Sequence, residues 1–436
     1  MNKELFTHHG PLLVRDVWIR GKRCDLCIDG QGRIAAVGPH AGTRALAEGT
    51  LTIEGKGRIA IPGLVNTHTH AAMTLFRGYA DDMQLQPWLE QKIWPLEAHL
   101  TAEDVYWGTK LACLEMIRSG TIAFNDMYFF MDRAARAVDE MGIRAVLAYG
   151  FIDLFDEDRR EREIRATEAF LGEISRLDHP RIHAALGPHA IYTVSREGFE
   201  WMADVARERH LGIHLHLSET EKEVRDSVRA HGRRPPAVLD RYGVLKPRTV
   251  AAHGCWLNRQ ECSLLAKRGV HVSHCPQSNM KLAVNRAMPY PLLKEYGVNV
   301  TLGTDGCASN NSLDLLETMK FATLLQKFFW NSETLLPAAE VVRLATENGA
   351  HALGIGPGRI EVGAPADVIL LDRTSVCHTP LHNAESNLVY SCNGGAVHTV
   401  LCAGRVLMYN RVVPGEAGIL AGAARATQRL LERAAH

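Results

Sequence analysis

Short apolar runs alternate with amphipathic stretches through the middle of the chain, and most of the runs end on a histidine or a carboxylate. IAIPGLVNTH, TIAFNDM, RAVLAYG, IHAALGPH, GIHLHLS, TVAAHG, VHVSHC and VNVTLGTD read as strands, each followed by a helix or by a loop leading to one. Nearly continuous apolar strands alternating with helices belong to a parallel sheet covered on both faces. Eight such units predict an α/β fold, a TIM-like (β/α)8 barrel, whose active sites collect at the C-terminal strand ends.

The two ends of the chain have a different texture. From about residue 10 to 58, LLVRDVWIR, RCDLCIDG and GRIAAVG are short strands separated by glycine-containing turns. Near the C-terminus a turn at Val362-Gly363-Ala364 precedes ADVILLD and HTVLCAGRVLMYNRVV, which read the same way, and an Ala/Leu/Arg-rich helix follows over 416 to 434. The simplest account is one small β-sandwich domain built from residues 1–58 and 356–436, with the terminal helix attached, around a catalytic barrel over 59–355. No solenoid repeat or low-complexity segment interrupts this plan.

Composition narrows the function. The 436 residues are 46% hydrophobic and 22% charged, ordinary for a folded enzyme. Lys plus Arg (49) balances Asp plus Glu (49), which gives no support to a nucleic-acid backbone or an anionic membrane as partner and favours a small molecule. The first residues lack the pattern of a signal peptide and no apolar stretch reaches membrane-spanning length, so a cytoplasmic protein is expected. The ten cysteines are scattered and read as reduced, buried small hydrophobes. Cys24 and Cys27 form a C-x-x-C, but without a second Cys or His pair nearby to complete a metal site it reads as structural.

The strand ends carry the chemistry. His68-Thr69-His70 is a His-x-His in which period-2 alternation sends both imidazoles to one face, where they can share a cation. His214 and His216 also share a face; His216, at the very end of its strand, is assigned as ligand and His214 as a supporting residue one layer down. Asp305, in LGTDG, supplies an oxygen ligand, and three nitrogens with one carboxylate leave room for a water. Imidazole plus carboxylate suits zinc, and equally Fe2+ or Mn2+. Glu219, three residues beyond His216, is placed to move protons between that water and a leaving nitrogen. His253 would stabilise charge at the attacking oxygen. His189 reads as a substrate contact, and His274 as a support for its loop.

Read together, PGLVNTHTHAAMTLFRGYADDMQLQPWLEQKIWPLE, GPHAIYTVS, HLSETEKEV, HCPQSNMKLA and LGTDGCASNNSLDLLETMK resemble the amidohydrolase superfamily, and within it the 5-methylthioadenosine/S-adenosylhomocysteine deaminases. The resemblance runs along nearly the whole chain. It implies one zinc ion per subunit on His68, His70, His216 and Asp305, with Glu97, His189 and Glu219 contacting substrate and Glu97 on the ribose. It implies a catalytic set of Glu219, His253 and Asp305 that replaces the amino group at C6 of an adenine ring by oxygen and releases ammonia. The substrates implied are methylthioadenosine and S-adenosylhomocysteine, with adenosine and 5′-deoxyadenosine as further options. Some members carry a substrate-contacting Arg after the third barrel strand; the matching position here is Tyr149. Trp88 and Trp94 could line an apolar pocket for base or thioether. Two other readings keep the site: a deaminase of guanine, a pterin or a triazine, and a non-catalytic metal-binding barrel. Homo-oligomers are common among such enzymes.

Overall fold

The computed structural model of the chain describes residues 4–43 and 46–435. Five strands open it: β1 (Leu12–Ile19), β2 (Lys22–Ile28), β3 (Ile34–Gly38), β4 (Leu51–Glu54) and β5 (Arg58–Pro62). Eight parallel strands follow: β6 (Leu64–Thr69), β7 (Thr121–Tyr128), β8 (Arg144–Phe151), β9 (Ile182–Pro188), β10 (Gly212–Leu217), β11 (Thr249–His253), β12 (His271–His274) and β13 (Val300–Leu302). β14 (Val368–Asp372), β15 (Val397–Cys402) and β16 (Arg405–Met408) complete the strands.

The eight parallel strands lie side by side in chain order from β6 to β13, as the alternation of apolar and amphipathic segments predicts. Their edges meet. Beyond β13, Asp305 N–H donates to His68 O (3.0 Å) and Asn66 Nδ2 donates to Thr304 Oγ1 (2.7 Å), while Thr67 Oγ1 donates to Leu302 O (2.9 Å). Every residue of β6 and β7 is buried, because helices cover the outside and side chains fill the inside.

Both chain ends build the second unit. Its sheet runs β16-β15-β14-β5-β1-β2-β3, with β4 pairing β1, in a mixture of parallel and antiparallel contacts. The inward positions of its strands, including Val14, Leu26, Ile53, Leu370 and Leu401, form a core separate from that of the barrel. Cys24 is buried on this face, whereas Cys27, an odd number of residues along β2, lies on the opposite one, so the two thiols do not converge. Antiparallel pairing of β5 with β14 joins the halves contributed by the two ends.

The apolar run that reads as one strand from Ile59 to His68 divides at Gly63, with β5 in the small sheet and β6 in the barrel. A Cβ at Gly63 would lie 2.3 Å from Ile122 Cγ1, so this crossing from one sheet to the other needs glycine. The terminal helix Glu416–Ala434 follows the small sheet in sequence but packs on the barrel helix Ala102–Arg118. Gly422 sits against the Trp107 ring, and Arg118–Glu416 and Arg433–Asp104 ion pairs lie at the two ends of this contact. Among the described residues no helix is long and apolar enough to cross a membrane.

Candidate active site

The strand-end polar residues converge on one mouth of the barrel. His68 and His70 leave the end of β6, His216 leaves β10, and these three offer nitrogens that all lie within 4.8 Å of one another. Their orientation is fixed from behind. His70 Nδ1 is 2.7 Å from Met127 O and His216 Nδ1 is 2.8 Å from His189 O. A carbonyl only accepts, so each of these rings carries its proton on Nδ1 and keeps a bare lone pair on Nε2. The two Nε2 atoms stand 3.2 Å apart. His68 Nδ1 meets His214 Nε2 at 2.7 Å, and buried His68 Nε2 has no hydrogen-bond partner. Burial pushes the His68 pKa down to about 4 and holds His214 and His216 well below the usual range, so all three are neutral at pH 7.

Asp305 follows β13 and directs Oδ1 at this cluster, 3.4 Å from His68 Nε2 and 3.3 Å from His70 Nε2. Burial works to raise its pKa, but the adjoining His68, with His70 and His253, holds the carboxyl well below the ordinary range and ionised. Ser278 Oγ (2.6 Å) and Ser309 Oγ (2.8 Å) donate to Oδ2 and lock the side chain. Gly303 lets β13 pass close to β6, since a Cβ there would lie 2.7 Å from His68 Cβ. Asp305, His253 and Ser218 all have left-handed backbones, with φ of 63°, 72° and 47°. Strain of this kind, of order 1–3 kcal/mol per residue, persists where the surroundings over-determine it, typically at functional sites.

Glu219 and His253 stand beside the imidazoles, with Glu219 Oε1 3.8 Å from His253 Nδ1. Glu219 is buried on the turn after β10, and burial, then the Asp305 charge, pushes its pKa up to about 8. Glu223 holds that turn: its carboxylate accepts from the backbone N–H groups of Ser218 (2.7 Å) and Glu219 (2.8 Å). Asn279 Nδ2 donates to His253 Nδ1 (2.9 Å), which puts the ring proton of His253 on Nε2. Such a set can polarise water, move a proton and stabilise a developing negative oxygen.

A cavity opens over this cluster, lined by His70, His189, His216, Glu219, His253 and Asp305 and, farther out, by Glu97, Trp88 and Trp94. Glu97 Oε1 accepts from Tyr128 OH (2.7 Å), and burial pushes its pKa up to about 7. His189 Nδ1 bonds Thr193 Oγ1 at 2.8 Å, and its ring lies 4.6 Å from that of His216. Tyr149 is elsewhere: it lines the adjoining chamber, which shares Trp94, Glu97, Phe129 and Ile152 with this cavity, and pairs with Glu163. His274 lies deeper, 3.3 Å from Gln326 Nε2, and does not line the cavity. Sequence reasoning missed Tyr128, Glu223, Ser278, Asn279 and Ser309; the last three fall inside the HCPQSNMKLA and LGTDGCASNN segments, whose polar density was the available signal.

Comparison with known proteins gives this arrangement a lineage. The amidohydrolase family matches residues 59–407. A 5′-deoxyadenosine deaminase of Methanoregula boonei is 60% identical over 431 residues, 99% of this chain and 98% of its own. The 5-methylthioadenosine/S-adenosylhomocysteine deaminase 1 of Archaeoglobus fulgidus is 51% identical over 366 residues, 84% of this chain and 86% of its own. The crystal structure of an adenosine deaminase from Xanthomonas campestris with bound zinc superposes with a TM-score of 0.90 at 37% identity, covering 97% of this chain and 98% of that one. With the family matched across the whole barrel and relatives matched almost end to end, this chain belongs to the amidohydrolase family, among its 5-methylthioadenosine/S-adenosylhomocysteine deaminases, and is a metal-dependent deaminase.

Proposed function

We propose that the protein is a zinc-dependent aminohydrolase of adenine nucleosides altered at the 5′ position, with 5′-deoxyadenosine, methylthioadenosine and S-adenosylhomocysteine as the substrates to test. The observation that carries this reading is the pair of bare Nε2 atoms on His70 and His216, 3.2 Å apart, beside ionised Asp305 and the unpartnered Nε2 of His68. Lone pairs facing one another in a buried site repel unless a cation lies among them, so these residues fit a divalent metal. His68, His70, His216 and Asp305 would hold it, and when bound it supplies the Lewis acidity that makes water a nucleophile near neutral pH.

The remaining steps fall to side chains. Glu219 accepts one proton from the attacking water and delivers it to the ring nitrogen next to C6; its raised pKa suits it to take up and release that proton near neutrality. His253 Nε2–H donates to the oxygen as negative charge builds there, while Asp305 takes the second proton of the water, which passes to the amine as it departs. The C6–N bond breaks, ammonia leaves, and the ring keeps a C6 carbonyl. Glu97 binds the ribose hydroxyls with the oxygen that Tyr128 does not occupy, His189 bonds the base, and Trp88 closes the apolar side. Tyr149, in the adjoining chamber, faces the 5′ substituent.

Ammonia release from zinc-loaded protein, measured in parallel on the three nucleosides, adenosine and guanine, tests this. Turnover of the adenine compounds, lost in Glu219→Gln, is the expected result; turnover of guanine alone overturns the nucleoside reading. A second copy of the chain would dock on helix Leu315–Phe329, where Phe321, Leu324 and Phe328 are exposed on one face; light scattering of wild type and Phe328→Glu checks this.

A further inference from the structure

A second group of metal-ligating side chains meets outside the barrel mouth and shares no residue with it. Cys377 and His378 lie on the short turn Val376–His378 after β14, and Cys392 follows the helix Ala384–Tyr390. Cys392 Sγ is 3.0 Å from Cys377 Sγ and 3.5 Å from His378 Nε2. Cys392 and His378 are buried and Cys377 is half-buried, so the group has a closed side and an open one. His378 Nδ1 lies 2.8 Å from Asp372 O, which places the ring proton on Nδ1 and leaves a lone pair on Nε2, the atom near Cys392. Ligating histidines are commonly oriented in this way.

We propose that Cys377, His378 and Cys392 form a second metal site, for a thiophilic cation of the zinc class, which clamps the loop between β14 and β15. Two sulfurs and one imidazole are a soft donor set, unlike the nitrogen and carboxylate set of the barrel mouth, and so select zinc or a comparable ion over iron(II) or manganese. Zn–S bonds of about 2.3 Å in a tetrahedral site put two thiolates roughly 3.7 Å apart, so binding spreads the sulfurs by less than about 1 Å. Both thiols lose their protons to solvent as the ion enters. The fourth position falls on the open side of Cys377, where Ser375 Oγ lies 3.2 Å from Cys377 Sγ and water has access. The ligands come from the two ends of one loop, so the ion ties the exit of β14 to the approach to β15. A disulfide between the same cysteines is the competing state; it requires an oxidant and gives the oriented His378 no part.

Cobalt titration of the full-length protein, reduced and stripped of metal, tests the site. Nitrogen and oxygen ligands at the barrel mouth cannot produce thiolate-to-cobalt charge-transfer absorption, so that band reports on this cluster alone. The expected result is a band that is complete by two equivalents, one for the barrel mouth and one for this cluster, disappears on addition of Zn2+, is lost in Cys377→Ser and Cys392→Ser, and survives in His70→Ala. Zinc content should fall by one equivalent per chain in either serine variant, with deaminase turnover kept within about twofold, as for changes remote from a catalytic site. Because Cys392 is buried and its variant could fold poorly, wild-type protein gives an independent readout: iodoacetamide should label half-buried Cys377 only after chelation. Absence of the band in the reduced wild type, its persistence in the double serine variant, or a Cys377–Cys392 disulfide in protein isolated without air overturns the proposal.

Discussion

His274 closes strand β12 and His271 opens it, and the two ends of that strand show what separates a site from a collection of histidines. At the opening end, His271, His183 and His351 border a cavity at the foot of the barrel. His271 accepts from Asn299 Nδ2 (2.9 Å), its ring meets His351 edge-on, and burial pushes its pKa down to about 4. Neutral, buried imidazoles are therefore present at both ends. The foot lacks the rest: no Asp or Glu lines its cavity among the described residues. At the mouth, by contrast, the carbonyls of Met127 and His189 force two bare nitrogens together, with Asp305 ionised beside them and Glu219 held near neutrality. Histidine count does not distinguish the ends; what stands behind each ring and which carboxylate stands in front of it does.

That contrast can be broken most directly at Glu219. Glu219→Gln should lower kcat by roughly 10³-fold, the range for a positioned proton-transfer group, with metal content unchanged. Ammonia release and metal analysis on the same sample check it, and retention of turnover would remove the proton shuttle from the mechanism. Glu97→Gln should cost about 10- to 100-fold in kcat/KM for a nucleoside, the worth of hydrogen bonds to a charged group, and much less for free adenine. Equal losses on both compounds would detach Glu97 from the ribose.

The electrostatic half of the comparison is sharpened by pH. In metal-free protein, burial raises Glu97 to about 7 and Glu219 to about 8 from an ordinary 4.5. Between pH 6.5 and 8 these two groups hold protons in the folded chain that they have lost in the unfolded chain, so their contribution to stability falls as pH rises, while the buried neutral histidines contribute the opposite slope at the lower end of that window. Urea titrations of wild type and Glu219→Gln at a series of pH values isolate the Glu219 part: the stability of wild type relative to the variant should fall from pH 6.5 to 8, and a difference that stays level or rises contradicts the assignment. The smallest effect belongs to the foot of the barrel: His271→Gln should cost about 1 kcal/mol of stability, the scale of one hydrogen bond, and leave kcat unaltered.

The parts legible in the sequence were those written into single strands. His68, His70, His216, His253 and Asp305 each end an apolar run, and a barrel gathers strand ends by geometry alone. Residues that act across elements carry no such local mark. Glu223 looks like an acidic residue in the first turn of a helix, where the dipole favours it anyway, and its hold on the Glu219 turn exists only once the chain folds back. Tyr128 ends a strand like any core aromatic, and its bond to Glu97 links β7 to the short helix Trp94–Glu97 earlier in the chain. The pairing of Tyr149 with Glu163 joins a strand to the helix after it. Gly63 hides a change of sheet inside a run that is apolar throughout, because periodicity records burial and not which sheet does the burying.

The antiparallel pairing of β5 with β14 also sets a timetable for the chain as it is made. Strand β5 ends at Pro62 and β14 begins at Val368, so the partner of β5 is synthesised only after the whole barrel. At about 5–20 residues per second, that delay is roughly 15 to 60 s. During it, one edge of the N-terminal strands waits unpaired on the ribosome while the barrel beside it is still being translated.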